Sequence, residues 1–162
     1  MKNTAGHTLH YELSITLNWQ GKNAGENAYA TRQTVTDLLI AAATHARLNA
    51  HAPFSKFKVG AAVEDDKGQI HTGCNVENAT YGLTVCAERI AIFKAISEGV
   101  RHFRRVAVVA DTKTLTPPCG ACRQILWEFC GDVEIVLANL AGESETMRLG
   151  TLFPRAFDAS FL

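Results

Sequence analysis

Two short stretches hold the residues best suited to chemistry: Cys86-Ala87-Glu88 and Pro118-Cys119-Gly120-Ala121-Cys122. Each falls where the sequence predicts the start of a helix. Cys119 and Cys122 are three apart, so in a first helical turn both thiols project to the same side. Helix N-termini carry partial positive charge and unpaired N–H groups, which favour the thiolate that metal binding requires. Three thiolates from two helix starts supply three corners of a tetrahedron, and zinc with three protein ligands keeps its fourth position for water. The metal would lower the pKa of that water toward ~7. Glu88, two residues after Cys86, is close enough to reach the open side of the metal without ligating it and can move protons there.

Other uses of these residues have to be weighed. Cys119 and Cys122 alone would suit a redox C-x-x-C pair, and a structural zinc site would need a fourth ligand such as Cys74, Cys130 or His102. The third cysteine and its neighbouring Glu88 favour catalytic zinc. Cys74 and Cys130 are then expected to be ordinary buried thiols. The six His residues are scattered without ligand spacing and receive no role. Phe54, Phe93, Phe103 and Phe129 are expected in the core, and Tyr81 in packing, at the pocket or at a subunit interface.

The elements that must position these groups follow from periodicity. Thr34 or Thr36 can N-cap a first helix with Asp37 in its first turn. Leu38, Leu39, Ala42, Ala43 and Ala46 give that helix one apolar face, and Pro53 closes the segment. Residues 57–63 read as a buried strand, Asp65-Asp66-Lys67-Gly68 as a turn, and residues 69–76 as the returning strand of a hairpin. Residues 87–97 predict a helix that stops at Gly99. A strand over 105–110, a helix over 121–130 and a strand over 133–137 follow, with a last short strand after Gly142. A hairpin followed by two βαβ-type crossovers implies one mixed sheet with helices on its faces.

Composition limits the partners. The chain has 162 residues, 47% of them apolar, with 16 basic and 16 acidic side chains. That balance argues against disorder and lacks the basic excess of a nucleic-acid binder. No apolar run approaches the ~20 residues of a membrane span. Residues 1–10 show no secretory signal, so the cysteines are expected to be reduced thiols and the protein cytoplasmic. Residues 1–32 form an N-terminal extension and 33–162 a single catalytic domain. Within the extension, Tyr11, Leu13, Ile15, Leu17 and Trp19 alternate with polar residues, which predicts an added edge strand over 10–19, or else a partner-binding element.

Motif by motif, the chain resembles the cytidine deaminases. The resemblance rests on Phe54-Ser55-Lys56-Phe57-Lys58-Val59-Gly60-Ala61-Ala62 and Gly73-Cys74-Asn75-Val76-Glu77-Asn78-Ala79. It continues in Tyr81-Gly82-Leu83-Thr84-Val85-Cys86-Ala87-Glu88-Arg89 and Pro118-Cys119-Gly120-Ala121-Cys122-Arg123-Gln124, and ends in the tail Leu152-Phe153-Pro154-Arg155-Ala156-Phe157. A non-ligating Glu followed later by P-C-x-x-C is the zinc-deaminase signature. The match spans residues 34–158 and is nearest the small homotetrameric class with three cysteines on zinc.

That resemblance implies a three-layer α/β/α fold with one mixed five-stranded sheet. It implies one Zn2+ per subunit on Cys86, Cys119 and Cys122, with Glu88 as the proton shuttle. Asn75 and Glu77 would hold the ribose hydroxyls, Phe57 would pack against the nucleoside, and the backbone of Cys86 and Ala87 would meet the base edge. Phe157 would stack on the base in a neighbouring subunit, so the homotetramer would share its active sites. Arg89 would donate to the thiolate sulfurs, spreading the negative charge they bring to zinc and keeping the metal electrophilic.

The implied reaction is hydrolytic deamination of cytidine and 2'-deoxycytidine to the uridine nucleosides with release of ammonia. The alternatives are deamination of another aminopyrimidine nucleoside, such as an N4-substituted cytidine or a nucleoside antibiotic, and a structural zinc module without activity. Two positions depart from the family: Ile90 stands where Thr is common, and Pro117 where Ser is usual.

Overall fold

The computed structural model describes residues 24–162; the strand expected over 10–19 lies outside them. Five strands form one mixed sheet in the order β2-β1-β3-β4-β5. β1 (Val59–Asp65) and β2 (Ile70–Cys74) make the expected hairpin, and β1 also pairs antiparallel with β3 (Phe103–Ala110). β3 runs parallel to β4 (Glu134–Asn139), and β5 (Ser144–Arg148) closes the other edge antiparallel. Two helices provide the crossovers, α2 (Ala87–Ser97) from β2 to β3 and α3 (Gly120–Cys130) from β3 to β4. The first helix, α1 (Ala24–Arg47), precedes the sheet, and a single turn, α4 (Leu149–Leu152), follows it.

Helices cover both faces, which is why β1 and β4 are buried along their whole length and read as unbroken apolar runs over residues 59–63 and 135–138. On one face Ala61, Val63, Val106, Val108, Ile135 and Leu137 meet Ala91 and Ile92 of α2 and Leu126 of α3. On the other face Ala62, Ala107, Val109, Val136 and Ala138 meet Leu39 and Ala43 of α1. The alternation along each strand therefore feeds two cores, giving the expected α/β/α layers. At the end of the sheet farther from Val59, charges replace aliphatics on the α1 face. Glu64, Arg105 and Glu134 stand in one cross-strand row, with an ion pair of 2.7 Å between Arg105 and Glu64 and Arg32 of α1 paired to Glu134.

Two sequence expectations need correction. Helix α1 starts at Ala24, ahead of the N-cap foreseen at Thr34 or Thr36. Both hydroxyls bond back instead, Thr34 to the carbonyl of Ala30 at 2.9 Å and Thr36 to that of Arg32 at 3.0 Å, a use of Thr that competes with capping. The early turns show no apolar stripe, because their described side chains face water. Phe54, Phe93 and Phe129 are also not core: they are 53%, 42% and 43% exposed. Phe93 and Phe129 pair edge to face across α2 and α3, with ring centroids 6.2 Å apart. Phe103 does pack against the core.

Glycine sets how closely α2 approaches the sheet. A Cβ at Gly73 would lie 2.5 Å from the Ala91 nitrogen and 2.7 Å from the Ala87 carbonyl oxygen. Gly73→Ala is therefore expected to push α2 outward and cost about 1–3 kcal/mol, seen as a thermal midpoint several degrees lower. Because Ala87 lies between Cys86 and Glu88, activity should fall with it. A variant of unchanged midpoint would show that α2 has room to move.

Candidate metal centre and its cavity

β2 and β3 are parallel to each other, each being antiparallel to the strand between them. Their C-terminal ends lead to the starts of α2 and α3 at the same end of the sheet. Cys86 is the N-cap of α2 and Cys119 the N-cap of α3, both in extended backbone (φ −71°, ψ 156° and φ −66°, ψ 165°) and neither spending its side chain on a capping bond. Cys122 follows in the first turn of α3. The three sulfurs lie within 4.8 Å of one another, with Cys86 and Cys119 at 4.0 Å. Two thiolates on a tetrahedral zinc with ~2.3 Å bonds stand ~3.8 Å apart, so this donor set fits zinc. Among the described residues no His, Asp, Glu or further Cys joins the group, which leaves out Cys74, Cys130 and His102 and with them the four-ligand structural site. Cys130 instead packs against the core, and burial pushes its thiol up to about 12.

Metal-free electrostatics show what a cation would relieve. Cys86 is drawn down to about 5, first by the hydrogen bond that Cys122 donates to it and then by the Arg89 guanidinium, with burial opposing. The same bond pushes Cys122 up, aided by burial and by the charge of Glu88. Cys86 and Cys122 thus share one negative charge through a single proton, and a divalent cation bound to both would take that proton's place. Arg89 Nη2 donates to the Thr84 carbonyl at 2.8 Å and reaches the Cys86 sulfur at 3.7 Å. Glu88 is only 4% exposed; burial above all, helped by the Cys86 thiolate, holds its carboxyl above the usual carboxylate range, with its own backbone, Cys122 and Arg89 opposing.

In front of the cluster opens a cavity of about 260 Å³. Cys86, Ala87, Glu88 and Cys119 line one part of it, and Phe57, Asn75 and Glu77 another. Seven residues singled out from sequence therefore share one cavity wall. Cys122 is buried in the cluster, and Arg89 binds the Cys86 sulfur. Phe157 does not reach the cavity: it is 55% exposed, stacks on Phe161 at 5.5 Å, and its carbonyl accepts from Gln124 Nε2 at 2.8 Å.

Asn75 and Glu77 do more than face the cavity, because each ties down the segment before β1. Asn75 is buried; it accepts from the Val59 N–H at 2.8 Å and donates to the Phe57 carbonyl at 2.8 Å. One of its two amide hydrogens is left for a ligand. Glu77 accepts from the Phe54 N–H at 2.8 Å, from the Ser55 N–H at 3.2 Å and from the Ser55 hydroxyl. The hydroxyl bond first, and then these N–H groups, hold its carboxyl below the usual range against a smaller opposing effect of burial. Ser55, Val59, Thr84, Val108, Thr116 and Pro117 complete the lining. None of these carries a spacing signal; they meet only because β3 and the loops fold together. Ser55, Glu77 and Thr84 also border an outer hollow of about 430 Å³, where Phe54 and Tyr81 pair edge to face at 6.4 Å.

Among the described residues, no helix is long and apolar enough to cross a membrane. Residues 32–139 match the family model for the cytidine and deoxycytidylate deaminase zinc-binding region. The chain is 52% identical over 120 residues to a cytidine deaminase of Sporosarcina psychrophila, covering 74% of this chain and 88% of that protein. It is 50% identical over 123 residues to one from Halalkalibacterium halodurans, covering 75% and 93%. Its fold superposes on the crystal structure of cytidine deaminase from Burkholderia pseudomallei with a TM-score of 0.73 and 48% identity, covering 75% of this chain and 98% of that one.

Proposed function

The chain belongs to the cytidine and deoxycytidylate deaminase family, and on that premise we propose that it hydrolyses cytidine and 2'-deoxycytidine to uridine and 2'-deoxyuridine, releasing ammonia. The observation that carries this is a single cavity in which a buried carboxyl, two of three clustered thiols and the Asn75/Glu77 pair face one space. Zinc held by Cys86, Cys119 and Cys122 would supply an electrophile that polarises water at neutral pH.

The protein's own groups do the rest. Glu88 takes one proton from the attacking water and passes it to the ring nitrogen beside the reacting carbon; it then takes the second proton from the same oxygen and delivers it to the departing amine, so that both protons of the water are accounted for. Burial of Glu88 keeps the neutral form accessible, so the carboxyl can both hold and give up each proton. The free amide hydrogen of Asn75 donates to a ribose hydroxyl, and the Glu77 carboxylate accepts from one. Phe57, fixed through its carbonyl by Asn75, packs against the nucleoside, and the Ala87 backbone meets the base edge. Phe157, exposed and outside its own chain's cavity, stacks on the base in a neighbouring copy, so the working form is a homotetramer with shared sites. All five cysteines are free, in keeping with a reducing, cytoplasmic setting.

The direct test follows ammonia release from cytidine, deoxycytidine and cytosine with the purified protein. The two nucleosides should be consumed, and cytosine should be poor because it lacks the sugar. Failure on all three with zinc bound would overturn the assignment, and a monomer by light scattering would overturn the shared site. Arg89→Ala should retain near-stoichiometric zinc yet lose about 10–100-fold in turnover, because the Cys86 thiolate then places its full charge on the metal. Wild-type turnover in a zinc-replete Arg89→Ala protein would refute that role.

A further inference from the structure

Three hydroxyl-bearing residues line the cavity: Ser55, Thr84 and Thr116. Ser55 is engaged as both donor and acceptor, and Thr84 as an acceptor only. Ser55 Oγ donates to Glu77 and accepts from the Phe57 N–H at 2.9 Å. Thr84 Oγ1 accepts from the Asn78 N–H at 3.0 Å. Thr116 differs, because its side-chain partner is another hydroxyl, Thr112 Oγ1 at 3.0 Å, and either can be the donor. When Thr116 donates to Thr112, its lone pairs remain for a ligand; when Thr112 donates to Thr116, the Thr116 O–H is released to donate. Thr112 does not line the cavity. Its carbonyl accepts from the buried Asn139 amide at 3.2 Å, and Pro117 and Pro118 restrict the chain after Thr116. The pair is thus held in place while its proton stays free to move.

The chemistry gives such a pair a use. Thr116 lies three residues before Cys119, on the loop that reaches the metal cluster, rather than on the segments carrying Asn75 and Glu77. The edge of the base that reacts there reverses its hydrogen-bonding sense. Cytidine offers a ring-nitrogen acceptor beside an amino donor, whereas uridine offers a ring N–H donor beside a carbonyl acceptor. A fixed donor or fixed acceptor would mispair with one of the two. We propose that Thr116 is a base-recognition residue that reads this reversing edge, with Thr112 as the positioning residue that lets its hydroxyl change sense. The proposal rests on the substrate assignment above.

Thr116→Val and Thr112→Val test it, with KM and kcat for cytidine, the inhibition constant of uridine, and the thermal midpoint measured for each. Thr116→Val removes the hydroxyl at nearly constant shape. It should raise both the cytidine KM and the uridine inhibition constant about three- to tenfold, the range for one net hydrogen bond, with kcat within about twofold. Thr112→Val, which touches no ligand, should raise both constants less, about two- to threefold, through Thr116 alone. If Thr116→Val shifts only the thermal midpoint and leaves both constants within twofold, the pair is structural and the proposal falls. A loss confined to kcat would also overturn it, since the hydroxyl would then act in the chemical step. Normal wild-type turnover with an unaffected Thr116→Val sinks this proposal alone, whereas absent wild-type turnover sinks the substrate assignment with it.

Discussion

Glu88→Gln is expected to lower cytidine turnover by about 10²–10⁴-fold, the range that a positioned proton carrier contributes, while leaving zinc content and the thermal midpoint close to wild type. The substitution keeps the shape of a side chain that is 4% exposed and removes only its capacity to take up and return a proton. It also relieves the burial of an ionisable group, so no loss of stability is expected from the site itself. Ammonia release measured beside metal content separates the two effects. Retention of more than a tenth of wild-type turnover in a zinc-loaded Gln variant would sink the proton-shuttle role, since neither oxygen nor nitrogen of an amide can carry out both transfers.

Cys119→Ala should abolish measurable turnover and reduce zinc to well below one ion per chain. Cys119 is the informative choice among the three thiols. Cys122 is fully buried in the core, so its removal confounds ligation with a cavity. Cys119 is exposed and makes no side-chain capping bond, so its loss removes ligation and little packing. The metal-free wild type and Cys119→Ala should therefore unfold at similar temperatures, and added zinc should raise the midpoint of the wild type alone. Equal stabilisation of both by zinc would mean that the ion binds somewhere other than this cluster.

The elements that place the cluster were readable because their ends are marked chemically. Residues 87–97 were expected as a helix and are one, with Cys86 before it and Gly99 after it. The third helix begins one residue ahead of its expected start, again behind a cysteine N-cap. The hairpin, both crossovers and the last strand followed from alternation and turn residues, and the pairing order agrees. What sequence did not reveal depends on contacts distant along the chain. Among the described residues, the early turns of α1 show no apolar stripe, and Arg32 ties them to the sheet through Glu134 instead. Phe93 and Phe129 are apolar by type but cover each other on the outside of two helices.

The cavity divides in the same way. Glu88 and the cysteines were legible because metal chemistry demands particular types at particular spacings. Asn75 and Glu77 were legible as polar groups two apart on an extended segment, but not as the anchors of Phe57 and Ser55, which are 18 and 22 residues away. Thr116 was invisible, because a threonine between a leucine and two prolines carries no signal until β4 brings Asn139 against Thr112.

The separation of Cys86 from Cys119 has a thermodynamic side. These sulfurs approach to 4.0 Å although they lie 33 positions apart in the chain, with all of α2 and β3 between them. An ion bound to both closes a ring around those elements, as a disulfide would, and withdraws that freedom from the unfolded chain. For a ring of this size the loop-closure entropy is worth about 4 kcal/mol, whereas the tie between Cys119 and Cys122, within one helical turn, adds little. Loading the metal is therefore also a folding event. Its mechanical benefit would fall on the crossover that carries Glu88, so an ion held by these thiols would also keep the proposed proton carrier from drifting out of reach.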